Sequence, residues 1–189
     1  MINQKHINKY QTIINEIKKN TTIKSDSTFI KLANLIGEIA TSVYTDSERI
    51  AVGRLFEEFL KPQINNYNII EQNVLKCYNT CKHRNQKKDK TATNFGEAFY
   101  SGLRCKEDHN NCIYGFACAH KLDYPKNNHL DLITMSDNTQ RILLIAEPFI
   151  KQVENIIYKL KNSKHYNNSN NDKPIEIVFD KNLGVSGCL

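Results

Sequence analysis

The chain has 189 residues, of which 40% are hydrophobic and 9% aromatic, which is enough apolar material for the core of one domain. No stretch approaches about 18 consecutive apolar residues, so a transmembrane helix is not predicted, and the N-terminus lacks the pattern of a secretory signal peptide. We therefore expect an intracellular protein, cytoplasmic or nuclear and not secreted. In such a compartment the six cysteines are expected to be thiols or metal ligands rather than disulfides.

The formal net charge is +6, a balance that suits a phosphate backbone or an acidic partner. Lysine carries most of the excess. The enrichment in Asn, Lys, Ile and Tyr is also what A/T-rich codons produce, and it resembles the composition of proteins from large DNA viruses or A/T-rich protists. The charge alone therefore does not separate genomic bias from nucleic-acid binding.

The N-terminal region, residues 1–76, carries four stretches with apolar residues at helical spacing. The first predicted helix ends near Asn20, and the second begins at Ser27, where polar side chains can cap it. The third stops at Pro62, and the fourth carries the chain to Cys77. Four antiparallel helices with short connections predict a bundle or stacked helical hairpins.

The sequence of the C-terminal part predicts one further helix, followed by a tail. Residues 137–163 have the amphipathic pattern of a long helix that packs on the bundle, with Pro148 at a kink or near its first turn. Residues 164–189 read as a flexible tail in which "PIEIVF" can form one short strand. The predicted fold class is mainly α, with a Cys/His zinc-binding insertion and at most one short C-terminal strand.

The insertion, residues 77–125, contains two groups of cysteine and histidine. The first group has the spacing C-x3-C-x-H and the second has C-x6-C-x5-C-x-H. Structural Zn²⁺ is held by four thiolate or imidazole ligands in a tetrahedron, so the cofactor we predict is Zn²⁺. The ligands predicted first are Cys105, Cys112, Cys118 and His120.

The sequence "CIYGFACAH" resembles the second half of a CCCH-type zinc finger, in which a Cys is followed by an aromatic-Gly pair, a third Cys and a closing His. This resemblance implies the same four ligands, Cys105, Cys112, Cys118 and His120. It also implies that Tyr114 and Phe116 stack on RNA bases. His109, inside the first interval, is an alternative ligand.

A second arrangement uses the first group of ligands. Cys77 and Cys81 are four residues apart, so both face the same side of a helix end, and two members of the second group could complete their site. The zinc would then be a clip that joins the bundle to the Cys-rich loop. His83 is a further alternative ligand, and together the candidates could also serve two ions.

A basic segment separates the two groups, and its cations are interleaved with aromatic residues along the chain. Such a pattern suits single-stranded nucleic acid, in which phosphates meet lysine and bases stack on rings. Single-stranded RNA is therefore the predicted partner. The residues expected to bind it are Lys82, Arg84, Lys87, Lys88, Lys90, Tyr114 and Phe116.

The sequence contains no P-loop, no dinucleotide-binding glycine motif, no zinc-protease motif and no nucleophile elbow. It also lacks the motif of zinc deaminases. The predicted function is a non-enzymatic, zinc-stabilised nucleic-acid-binding protein. Two alternatives stay open: an α-helical interaction or structural subunit with a purely structural zinc, and a Cys-dependent or metal enzyme.

Overall fold

The computed structural model describes residues 1–21, 27–81, 90–104, 115–119 and 130–167. The prediction of a mainly helical fold is confirmed, although a small sheet accompanies the helices. None of the described helices is both long and apolar enough to cross a membrane. The elements are α1 (Gln4–Thr21), α2 (Ser27–Val43), α3 (Glu48–Leu55), α4 (Tyr67–Asn79), α5 (Phe95–Arg104), β1 (Phe116–Ala119), β2 (Leu130–Thr134), β3 (Gln140–Ile145) and α6 (Ala146–Leu160).

The N-terminal helices follow the sequence prediction closely. α1 ends at Thr21, α2 begins at Ser27 as expected, and α4 ends two residues beyond Cys77. Consecutive helices α1, α2 and α3 pack on one another, and α6 packs on α1. The amphipathic stripes were sufficient for this prediction because each of these helices buries one face and exposes the other.

The third helix changes its winding before it ends. α3 continues into a π-helical turn at Phe56–Leu60, in which the amide of Lys61 donates to the carbonyl of Phe56, and then into a 3-10 turn at Lys61–Gln63. Proline cannot donate the hydrogen bond that would continue the helix, so the predicted stop at Pro62 agrees with the end of this turn.

Hydrophobic spacing gives a physical reason for the π turn. The buried side chains of this helix repeat every four residues, which in an α-helix rotates them by about 40° per repeat away from one face. A π turn holds more residues and rotates the later members back. The two buried rows are Ala51, Leu55 and Phe59, and Val52, Phe56 and Leu60.

The prediction of one long helix over residues 137–163 was wrong for the first part of this range. Gln140–Ile145 is strand β3, and α6 begins only at Ala146. Four consecutive residues of β3, 142–145, are buried, which is typical of a strand covered on both faces rather than of an amphipathic helix. Pro148 lies in the first turn of α6, one of the two placements predicted.

The expectation of at most one strand was also wrong, because three strands form a sheet in the order β1-β3-β2. β1 is parallel to β3, and β2 is antiparallel to it. The β2–β3 turn places Asn138 in the left-handed region, with φ of 60°, which asparagine tolerates better than most residues. The predicted "PIEIVF" strand lies outside the described residues.

An aromatic core cluster joins the helices to the sheet. Its hub is Phe99 on α5, whose ring centroid lies 5.2 Å from those of Phe56 and Phe149 and 6.3 Å from that of Phe116. Phe95, also on α5, stacks at 6.5 Å on Phe116. α5 was not predicted as a helix, and its residues Phe95 and Phe99 are buried in this core.

The end of the described chain returns to the N-terminus. The amide of Ile2 donates to the carbonyl of His165 at 2.9 Å, and the amide of Asn167 donates to the carbonyl of Ile2 at 2.8 Å. The imidazole Nε2 of His165 lies 3.0 Å from Oε1 of Glu58 on the π turn. Glu58 also accepts a hydrogen bond of 2.7 Å from the hydroxyl of Tyr44. Glu58 therefore ties three separate parts of the chain together.

Replacement of Glu58 by glutamine should lower the free energy of unfolding by about 1–2 kcal/mol near pH 7, because charge-assisted hydrogen bonds stabilise a fold more than neutral ones do. The effect is expected to stay within this range because Glu58 is partly exposed and solvent screens its charge. Burial opposes ionisation of Glu58, but the hydrogen bonds from Tyr44 and His165, together with nearby Lys164, lower its pKa below the ordinary value. A carboxyl with a lowered folded pKa stabilises the fold above its unfolded pKa of about 4.3, and this is lost as the pH falls through the folded pKa.

Urea unfolding of the native chain and the variant across this pH range tests the prediction. Glu154→Gln is the control, since the carboxylate of Glu154 forms an exposed pair with Lys18 at 2.8 Å, and its replacement should change stability by less than about 0.5 kcal/mol. A Glu58→Gln effect that persists unchanged at acid pH would contradict the assigned role of the charge.

Candidate functional site

Two of the predicted ligands lie at the C-terminal end of α4 and face one cavity. Cys77 belongs to the last turn of α4, and Cys81 follows the helix end. The amide of Thr80 donates to Lys76 at 3.1 Å and that of Cys81 to Tyr78 at 3.2 Å, so the chain keeps turning after the helix. Both cysteines line a cavity of about 350 Å³. The prediction that they share one side is confirmed.

Gly115 also lines this cavity and is packed directly on the backbone of α4. Its φ of +74° lies in the left-handed region, and a Cβ atom there would lie 2.7 Å from N of Tyr78 and 2.8 Å from the carbonyl carbon of Cys77. Only glycine both adopts this φ without strain and lacks the Cβ atom that would clash with α4. The carbonyl of Gly115 accepts a hydrogen bond of 2.9 Å from the amide of Ile142. The start of β1 is thereby held between α4 and β3.

Burial and nearby charges both act on the thiol of Cys77 in this cavity. Burial raises the pKa of the Cys77 thiol; nearby Lys76 opposes the rise and Cys81 adds to it. The thiol is thus protonated at neutral pH, and a metal ion would have to displace its proton. The negative end of the α4 dipole lies here as well, and it favours positive charge.

Cationic and polar side chains complete the walls. Lys76 and Thr80 come from α4 and its end, and Arg141 comes from β3. Sequence reasoning missed both cations as members of this site. Lys76, which precedes Cys77, could have been found from its neighbour, whereas Arg141 was hidden because its segment was assigned to a helix.

The third described cysteine, Cys118, lies on β1 opposite Leu144 in the register and packs partly buried against the core. Cys77, Cys81 and Cys118 are all free thiols. Within the described ranges, no three side chains of Cys, His, Asp or Glu are arranged to hold a metal ion. The remaining ligand candidates lie outside the described residues: Cys105, Cys112, His120, His83 and His109.

Phe116 requires a correction. Its ring is only 1% exposed and stacks in the aromatic core cluster, so it is not accessible to a base in this fold. Its position at the start of a strand that packs on α5 is the physical reason. Lys90 is exposed. The other residues expected to bind nucleic acid lie outside the described part of the chain: Lys82, Arg84, Lys87, Lys88 and Tyr114.

No family model matches the sequence, and neither the curated proteins nor the solved structures contain a significant match.

Proposed function

We propose that this chain is a non-enzymatic, zinc-stabilised protein that binds single-stranded RNA. The observation that supports it best is the packing of Gly115 on α4 at Cys77, together with the shared cavity of Cys77 and Cys81. In the sequence, Gly115 lies between Cys112 and Cys118 of the second Cys/His group. Its contact with the first group favours the arrangement in which zinc clips the sheet to the helices over a self-contained finger.

Chain length supports the same arrangement. Cys112 is three residues from Gly115, so fully extended chain would separate their Cα atoms by at most about 11 Å. Cys77 and Cys81 are the two ligands we propose from α4. Cys118 does not join them in a ligand group within the described residues, so the other two ligands are proposed from a smaller set. That set is Cys105, Cys112 and His120, with His83 and His109 as alternatives.

The proposed RNA contact starts at the edge of the cavity. The basic segment, residues 82–90, follows Cys81 directly and carries most of the cations expected to bind phosphates. Lys76 and Arg141 extend this positive charge onto the described surface. Tyr114, next to Gly115, is the aromatic residue we propose for base stacking in place of Phe116.

Charge reversal in the basic segment should weaken RNA binding and its salt dependence. For Lys87→Glu with Lys88→Glu, the loss of two phosphate contacts is expected to flatten the slope of log K against log salt by about 1.4. Fluorescence anisotropy with a labelled uridine-rich RNA measures both quantities. The matched control is Lys5→Glu with Lys31→Glu, which changes the net charge equally at exposed lysines of α1 and α2.

The contrary results separate the proposal from its alternative. Equal losses in both double variants would mean that only net charge matters and that the basic segment is not the contact. A chain that holds zinc but shows no salt-sensitive binding to RNA or single-stranded DNA would favour the alternative, an interaction or structural subunit.

A further inference from the structure

The outer face of α6 carries an exposed aromatic ring among polar residues. Tyr158 is 69% exposed, although α6 buries apolar residues along its opposite side. At 3.6 residues per turn, the exposed residues of α6 fall within an arc of about 100°. This face comprises Lys151, Asn155, Tyr158 and Lys159.

An open groove of about 480 Å³ lies along part of this face, between α6 and the 3-10 turn that ends the third helix. Lys151 and Lys159 line it, together with Gln63 and Asn155, and Pro62 and Pro148 supply apolar wall. No carboxylate belongs to its described lining. Neither lysine forms an ion pair with a described residue, so both charges remain available for an anionic ligand.

The amides of the groove are held in place. Gln63 donates from Nε2 to the carbonyl of Phe59 at 2.7 Å, and its Oε1 accepts from Nδ2 of Asn155 at 3.2 Å. Gln63 is therefore fixed by the turn behind it. Asn155 keeps a second amide hydrogen and its carbonyl oxygen without a bond to any described residue, and both can face a ligand.

We propose that this groove and the exposed face of α6 bind a second segment of single-stranded nucleic acid. Lys151 and Lys159, about 12 Å apart along the helix, contact phosphates. Tyr158 stacks on a base, and Asn155 bonds to a base edge. This inference rests on the proposed function, since it names the same partner at a separate surface.

The combination of groups favours a nucleic acid over an acidic peptide. Both ligands would satisfy the lysines, but an exposed ring beside a free amide provides stacking and edge recognition that a carboxylate-rich peptide does not use. The groove is lined by the turn that precedes α4, and the cysteine cavity is lined by the C-terminal end of α4. One strand that reached both would gain affinity through linked binding.

Three variants of the full chain test the proposal by anisotropy with the labelled uridine-rich RNA. Tyr158→Ala is expected to weaken binding by about 5-fold to 150-fold, which corresponds to the loss of one stacked base. Lys151→Glu with Lys159→Glu should flatten the salt slope by about 1.4. Lys5→Glu with Lys31→Glu, equal in charge, should change the slope less. Circular dichroism of each variant checks that the fold is retained.

Photo-cross-linking provides a measurement that does not depend on the net charge of the chain. RNA containing 5-iodouridine should cross-link to Tyr158 in the native chain, and mass spectrometry of the peptide identifies the site. Native affinity in the Tyr158 and α6 lysine variants, with no cross-link at Tyr158, would overturn the proposal.

The outcomes also separate this inference from the proposed function. If Lys87→Glu with Lys88→Glu weakens binding while the α6 variants bind as the native chain does, only the α6 contact is wrong. If the native chain binds no single-stranded nucleic acid, both fail. If a poly-glutamate peptide binds the α6 face more tightly than RNA at equal salt, the groove is a peptide site and the inference is wrong.

Discussion

Replacement of Phe99 by alanine is expected to lower the free energy of unfolding by about 3–5 kcal/mol, a large part of the stability of a domain of this size. Phe99 is 1% exposed and is the hub of the aromatic core cluster. Its removal leaves a cavity between the π turn, β1 and α6, whose fixed backbones limit how far the site can collapse. Urea unfolding followed by far-UV circular dichroism measures the change.

The control for this prediction is Tyr158→Ala, which removes a ring that is 69% exposed and should alter stability by less than about 0.5 kcal/mol. Phe99→Leu, which retains more volume, should lie between the two. A loss below about 1 kcal/mol for Phe99→Ala at an unchanged denaturant slope would show that the cluster does not organise the core.

The Phe99→Ala substitution should also affect the cysteine cavity. Phe99 contacts Phe116, which directly follows Gly115 in the chain. Looser packing of Phe116 would loosen the contact of Gly115 with α4. A decrease in zinc affinity in the Phe99 variant is therefore expected if zinc is held by the clip.

The second large effect is expected from Cys77→Ser with Cys81→Ser. If these thiols supply two of four zinc ligands, the variant should lose the ion, and structural zinc contributes apparent binding free energies of about 10–16 kcal/mol in small zinc domains. We expect the melting temperature to fall and the junction between α4 and the sheet to open. Differential scanning calorimetry and amide hydrogen exchange at α4 and β1 measure the two effects.

Serine at position 77 also places a hydroxyl where the native thiol is buried, which destabilises the chain by itself. A chelator separates the two causes. The native chain should melt at a lower temperature after chelation, while the double variant should be insensitive to it. Cys188→Ser, outside both Cys/His groups, is the control and should keep both the zinc and the chelator response.

The sequence predicted the elements that alternate simply between core and solvent. α1 and α2 each bury one stripe, and their bounds matched the expected ones within one residue at the tested ends. β3 was missed because its four consecutive buried residues fit either a strand or a buried helix segment. The polar turn "SDN" before it was the available signal for a hairpin. β1 and β2, with four and five residues, are too short to show a period.

Only the features of the site that depend on local sequence spacing could be predicted. Cys77 and Cys81 were expected on the same side of the helix end because four residues in a helix make about one turn, and both line one cavity. The contact of Gly115 with α4 depends on packing between segments far apart in sequence, which no local pattern encodes. Phe116 was misassigned because an aromatic residue beside a predicted ligand has the same sequence pattern whether it faces a base or the core.

The central claim is that a zinc ion joins the end of α4 to the second Cys/His group. Elemental analysis of protein purified without added metal tests it most directly, as zinc per chain in the native protein and in Cys77→Ser with Cys81→Ser. We predict about one zinc per native chain and none in the double variant. A folded native chain without zinc, or a double variant that keeps it, would contradict the account.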